Sequence, residues 1–85
     1  MKYNVDIKTK VKKYLLTLDS DLRRNISTDI NALEDNPRPP GCKKLKGREN
    51  TYRIRAGDYR VVYEIKDKAL IVLVIRVAPR GKVYR

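Results

Sequence analysis

Tyr52-Arg-Ile-Arg-Ala-Gly-Asp-Tyr-Arg-Val-Val-Tyr63 reads as two β-strands joined by a two-residue Gly57-Asp58 turn. Counting outward from the turn sets Ala56 against Tyr59, Arg55 against Arg60 and Arg53 against Val62. Side chains alternate along a strand, so Arg53, Arg55 and Arg60 share one face. Tyr52, Ile54, Ala56, Tyr59, Val61, Tyr63 and Ile65 share the other, which is the natural core face. Arg55 opposite Arg60 is a like-charged cross-strand pair, and such pairs destabilise a sheet. A chain that carries this repulsion has a use for the charge: an anion, with phosphate the first candidate.

Outward from the hairpin, the pattern extends to a small α+β fold. Residues 2–7 alternate, with Tyr3, Val5 and Ile7 on one side, and read as a first strand. Residues 9–18 place Val11, Tyr14, Leu15 and Leu18 at helical spacing. Asp19-Ser20-Asp21 supplies turn and N-cap chemistry for a second helix, whose apolar stripe is Leu22, Ile26, Ile30 and Leu33. Asn36-Pro37 ends it, because the residue before proline is pushed out of helical geometry. Arg38-Pro-Pro-Gly41 is a stiff connector, and residues 42–50 form a basic loop. Strands follow at about 51–56, 59–66 and 69–77, with a second turn at Asp67-Lys68. Residues 69–75 are apolar on both faces, as in an interior strand. The order β-α-α-β-β-β packs a helical hairpin on one face of a small, largely antiparallel sheet, within one domain spanning residues 1–85.

Composition narrows the chemistry. The net charge is +11, and the two halves differ. Residues 43–85 hold thirteen Lys/Arg against four Asp/Glu, and residues 1–42 hold eight against six. This asymmetry suits a phosphate-rich partner, with a solvated basic surface as the plain alternative. There is no histidine, so a Cys/His catalytic pair is excluded. The lone Cys42 excludes an intramolecular disulfide and a multi-cysteine zinc site. The longest apolar run is too short to span a bilayer, and the start carries no apolar signal region. A soluble, cytoplasmic protein is expected.

The arginine face gains further candidates from the C-terminal segment: Arg80, Lys82, Tyr84 and Arg85. Pro79 and Gly81 bracket Arg80, which suggests a fixed bend. Arginine grips phosphate bidentately and holds its charge at any physiological pH. Tyrosine can stack on a base or bond a ribose hydroxyl. Lys43, Lys44, Lys46 and Arg48 in the basic loop could add phosphate contacts that position RNA without reading its sequence. A merely solvated loop is the alternative there; Lys8, Lys10, Lys12 and Lys13 could do the same from the first helix, although a solvated helix face is the favoured reading for them.

Tyr52-Arg-Ile-Arg55, Gly57-Asp-Tyr-Arg-Val-Val-Tyr63 and Pro79-Arg-Gly-Lys-Val-Tyr-Arg85 resemble the RelE/ParE toxin superfamily, closest to its RelE-type mRNA interferases. Leu45-Lys-Gly47 fits the superfamily's Lys-Leu-x-Gly pattern. The resemblance covers nearly the whole chain and implies the toxin of a type II toxin–antitoxin system. Such toxins cut mRNA in the ribosomal A site, by attack of a 2′-hydroxyl on the adjacent phosphate. Carried over by position, the catalytic set is Arg53, Arg55, Arg60, Arg80 and Tyr84. Contacts to RNA and the ribosome fall to Lys43, Lys44, Lys46, Arg48, Lys82 and Arg85. The resemblance also implies a RelB-like antitoxin partner, operator DNA bound only through that complex, and no metal or cofactor. The Tyr-Arg-Val-Val-Tyr segment does not separate mRNA cleavers from relatives that poison DNA gyrase, so a ParE-like inhibitor stays open. So does a basic RNA-binding module without catalysis. One departure matters: several RelE-type enzymes carry lysine where Arg53 and Arg55 stand, and arginine is a poor general base.

Overall fold

Asn4–Ile7 (β1), Thr9–Leu16 (α1), Ser20–Asn31 (α2), Lys43–Lys44 (β2), Thr51–Ala56 (β3), Tyr59–Lys66 (β4) and Ile71–Pro79 (β5) succeed one another along residues 2–79. These residues are the part of the chain that the computed structural model describes. Single 3₁₀ turns close the stretch after α2 (Ala32–Glu34) and join β4 to β5 (Asp67–Ala69). The strands form one sheet in the order β1-β5-β4-β3-β2. Its pairings are antiparallel except that of β1 with β5, which is parallel. The expected α+β arrangement is therefore present, with the sheet mixed by that one pair.

Both helices lie on the face the alternation predicts. Val11 and Leu15 of α1 and Ile26 and Ile30 of α2 are buried together with Leu33. They meet Ile54, Val61, Tyr63, Ile65, Val72, Val74 and Val77 from the sheet. Full burial of one such side chain stabilises by roughly 1.5–3 kcal/mol, which makes this layer the main source of stability. The Asp19 carboxylate accepts from the Leu22 amide at 3.1 Å and caps α2 as its sequence suggests.

Several boundaries differ from the sequence reading: β1 starts at Asn4 rather than residue 2, and β5 runs to Pro79 rather than residue 77. α1 stops at Leu16 rather than residue 18. The Thr17 hydroxyl donates to the Tyr14 carbonyl at 2.6 Å and the Leu18 amide donates to the Leu15 carbonyl at 3.1 Å, so the last turn closes tightly. β5 starts two residues late, because the 3₁₀ turn consumes Ala69 and Leu70 adopts a left-handed φ of 53°. Within the expected loop, Lys43–Lys44 pairs with Arg53 and Tyr52 as an edge strand. Two exposed lysines carry no alternation signal, so nothing local marks them as a strand.

Candidate basic active face

The hairpin forms in the register counted from its turn: Ala56 pairs with Tyr59, Arg55 with Arg60 and Arg53 with Val62. Gly57 alone of the two turn residues has a positive φ, 61°, as in a type II′ turn. That conformation is strained for any residue with a Cβ, which is why glycine opens the turn. The arginine face is turned away from the helices. Arg55 is exposed, and its Nε donates to the Gly57 carbonyl at 3.1 Å, so its guanidinium is drawn back toward the turn. Arg53 and Arg60 are partly buried. On its other side Arg60 pairs with Ala78 of β5. The cations therefore stand in rows across the strands.

Lys43, Lys44, Lys46 and Arg48, singled out from sequence, come together with Arg53 around an open groove of about 760 Å³. Two residues that the sequence reading did not place in the site complete it. Lys8, just before α1, and Arg76 of β5 line it as well. Among the lining residues seven are basic, none is acidic, and Leu45, Val62 and Ile75 are apolar. The loop is folded back by main-chain bonds. The Leu45 amide donates to the Thr51 carbonyl at 2.9 Å and the Ile65 amide donates to the Asn50 carbonyl at 2.8 Å. Glu64, which alternation along β4 puts on the arginine face, pairs with Thr51 and Leu73. It stands four residues along β4 from Arg60, about 13 Å at strand rise, but only two from Val62, so it is a diagonal cross-strand neighbour of Arg53.

A polar clamp fixes the connector that delivers this loop. Arg38 donates to both Asp67 carboxylate oxygens, at 3.2 and 2.8 Å, and its Nε donates to the Tyr52 hydroxyl at 3.2 Å. Tyr3 donates to the same carboxylate at 2.6 Å. The Arg38 and Tyr3 hydrogen bonds hold the Asp67 carboxyl down at about 2. The Asp67 and Tyr52 bonds raise the Arg38 pKa in turn. Tyr52 stacks on Tyr63, with ring centroids 6.2 Å apart, and the buried Tyr63 hydroxyl donates to the Pro37 carbonyl at 2.7 Å. Burial pushes the Tyr63 phenol up, so it stays a neutral donor. Arg80, Lys82, Tyr84 and Arg85 lie outside the described residues. Pro79, the last one described, pairs with Tyr59, next to Arg60.

Two helices on one face of a mixed sheet, with a basic open face, define a class already known among bacterial and archaeal toxins. Residues 5–84 match the family described as the ParE toxin of type II toxin–antitoxin systems, parDE. A candidate RelE toxin of Methanocaldococcus jannaschii is 32% identical over 88 residues, covering 100% of this chain and 98% of its own length. The mRNA interferase toxin RelE of Escherichia coli K12 is 30% identical over 84 residues, covering 96% of this chain and 87% of its own. The archaeal RelE–RelB complex of Pyrococcus horikoshii superposes with a TM-score of 0.85 at 33% identity, over 98% of this chain and 100% of that one. The chain belongs to the RelE/ParE toxin superfamily and is a RelE-like toxin of a type II toxin–antitoxin system.

Proposed function

We propose that this toxin is a ribosome-dependent mRNA endonuclease whose active face is the arginine side of the hairpin. The observation that carries the reading is the Arg55–Arg60 pair, with Arg53 one step along, on the open face of a RelE-like fold. A nuclease of this kind activates a 2′-hydroxyl against the adjacent phosphate, leaving a 2′,3′-cyclic phosphate and a 5′-hydroxyl. Arg53, Arg55 and Arg60 stabilise the charge that builds on the phosphate oxygens, and Arg80 steadies the leaving group. Tyr84 orients the nucleotide. None of the arginines is a practical base, and Glu64, beside Arg53, stands about 13 Å along β4 from Arg60. The rate enhancement then rests on charge stabilisation and on orientation supplied by the ribosome. Lys43, Lys44, Lys46, Arg48, Lys82 and Arg85 contact RNA phosphates, and an acidic RelB-like antitoxin neutralises the face. The similarity to toxins held in RelE–RelB complexes supports that partner.

The test maps mRNA 5′ ends in a translating extract, with and without the protein. Cuts in phase with A-site codons are expected. Arg60→Ala should lower the cleavage rate roughly 100-fold or more, the usual effect of removing one transition-state donor, while ribosome binding falls far less. The ParE description of the matched family supports a second reading, inhibition of DNA gyrase. Intact mRNA beside supercoiling-deficient DNA would establish that reading and sink the first.

A further inference from the structure

In β5, Val72 and Val74 point into the core, and one more step of regular alternation would bury Arg76 beside them. A shift in the β4–β5 register prevents this. Tyr63 pairs with Val74, Val62 pairs with Arg76, and Ile75 is the extra residue. A bulge of this kind re-aims the side chains around it. Val77 takes the core position opposite Val61, and Arg76 emerges exposed on the arginine face.

Lys43, Arg53, Val62 and Arg76 thereby form one row across four strands. Neighbouring strands lie about 4.8 Å apart, so the backbones of Arg53 and Arg76 stand about 10 Å apart with Val62 between them. Val62 and Ala78 are buried on this face, and Leu45 and Ile75 pack against them as an apolar floor. The neighbouring row is Arg55, Arg60 and Ala78, two residues or about 7 Å along the strands. That step is the reach of one nucleotide in an extended strand.

We propose that this second row is a nucleotide subsite for single-stranded RNA, with Arg76 as the positioning residue that holds the phosphate adjoining the scissile one. The floor of Val62, Ile75 and Leu45 packs the ribose or base between Arg76 and Arg53, the latter shared with the scissile phosphate. The proposal rests on the reading of the arginine face as an RNA-cutting surface. A flat aliphatic floor on a sheet suits a planar base better than the bulky anchors of an acidic peptide, which need a deep pocket.

The probe is a single-stranded RNA made uncleavable by 2′-O-methylation, titrated against the full chain between 50 and 200 mM salt, with cleavage kinetics on programmed ribosomes alongside. Arg76→Ala should make the salt slope shallower by about 0.7. Its affinity deficit relative to wild type is then about 2.6-fold larger at 50 mM than at 200 mM. KM should rise more than kcat falls, and Arg76→Lys should restore the slope. Unchanged slope and affinity in Arg76→Ala overturn the subsite, whether or not the chain cuts mRNA. A lost slope contribution in a chain that cuts no mRNA supports the subsite and sinks the nuclease reading alone. Weakened binding of an acidic peptide with RNA binding intact overturns the subsite in favour of a protein partner.

Discussion

Asp67 lies in a 3₁₀ turn about half exposed to solvent, yet it ties three remote parts of the chain together through Tyr3 and Arg38. Its carboxyl titrates at about 2 when folded, against an ordinary 3.8. A folded value below the unfolded one means that the unfolded chain binds the proton more tightly. The stabilisation is therefore complete above about pH 4 and drains away as pH falls toward 2. Urea melts between pH 2 and 6 should show stability falling across that window. Asp67→Asn should start lower at pH 6 and lose less on acidification. A variant with the same pH slope as wild type would remove Asp67 from the acid response. The consequence reaches the site, because Arg38 opens the connector that leads into Lys43 and Lys44.

On the proposed reading, the hairpin joins stability and function in opposite senses. Arg55 and Arg60 face one another, and a like-charged cross-strand pair costs about 0.2–1 kcal/mol relative to a neutral one. Arg55→Thr removes the repulsion and adds a β-branched residue suited to a strand. It should raise the melting temperature by a few degrees and lower cleavage, and added salt should stabilise wild type more than the variant. A lower melting temperature in Arg55→Thr would show that the pair is not a liability. This register was legible from sequence because Gly57-Asp58 sets it locally, and the helix stripes were legible because Ile26, Ile30 and Leu33 repeat at helical spacing. The bulge at Ile75 was hidden by its setting, since an unbroken apolar run from Leu70 to Ile75 conceals a change of phase. The Arg38–Asp67 clamp joins residues 29 apart, and the parallel pairing of β1 with β5 joins strands further apart still; no local pattern encodes either. Arg80 and Tyr84 stand out in the sequence by residue type and take their roles from the family resemblance, and both lie beyond Pro79, the last described residue.

At the scale of the whole molecule the chain has abundant positive charge and scarce proton acceptors. A charge of +11 attracts polyanions generally, and the arginine rows give that attraction a geometry. Charge alone does not deprotonate a 2′-hydroxyl, and the chain has no histidine to do so. An enzyme built this way depends on a partner that holds the hydroxyl in line with the phosphate. At saturating RNA, where binding no longer limits the rate, cleavage of free RNA should be at least about a thousandfold slower than cleavage on programmed ribosomes, a modest share of what orientation supplies in well-aligned reactions. The logarithm of the ribosomal rate should rise with pH through the range 6–8 without a plateau, since the chain has no histidine to act as base there. Single-turnover rates on both substrates across that range check both statements. Cleavage of free RNA at a comparable rate, or a plateau near neutrality, would require a proton acceptor on the protein and would redirect the search to Tyr84 and the residues around it.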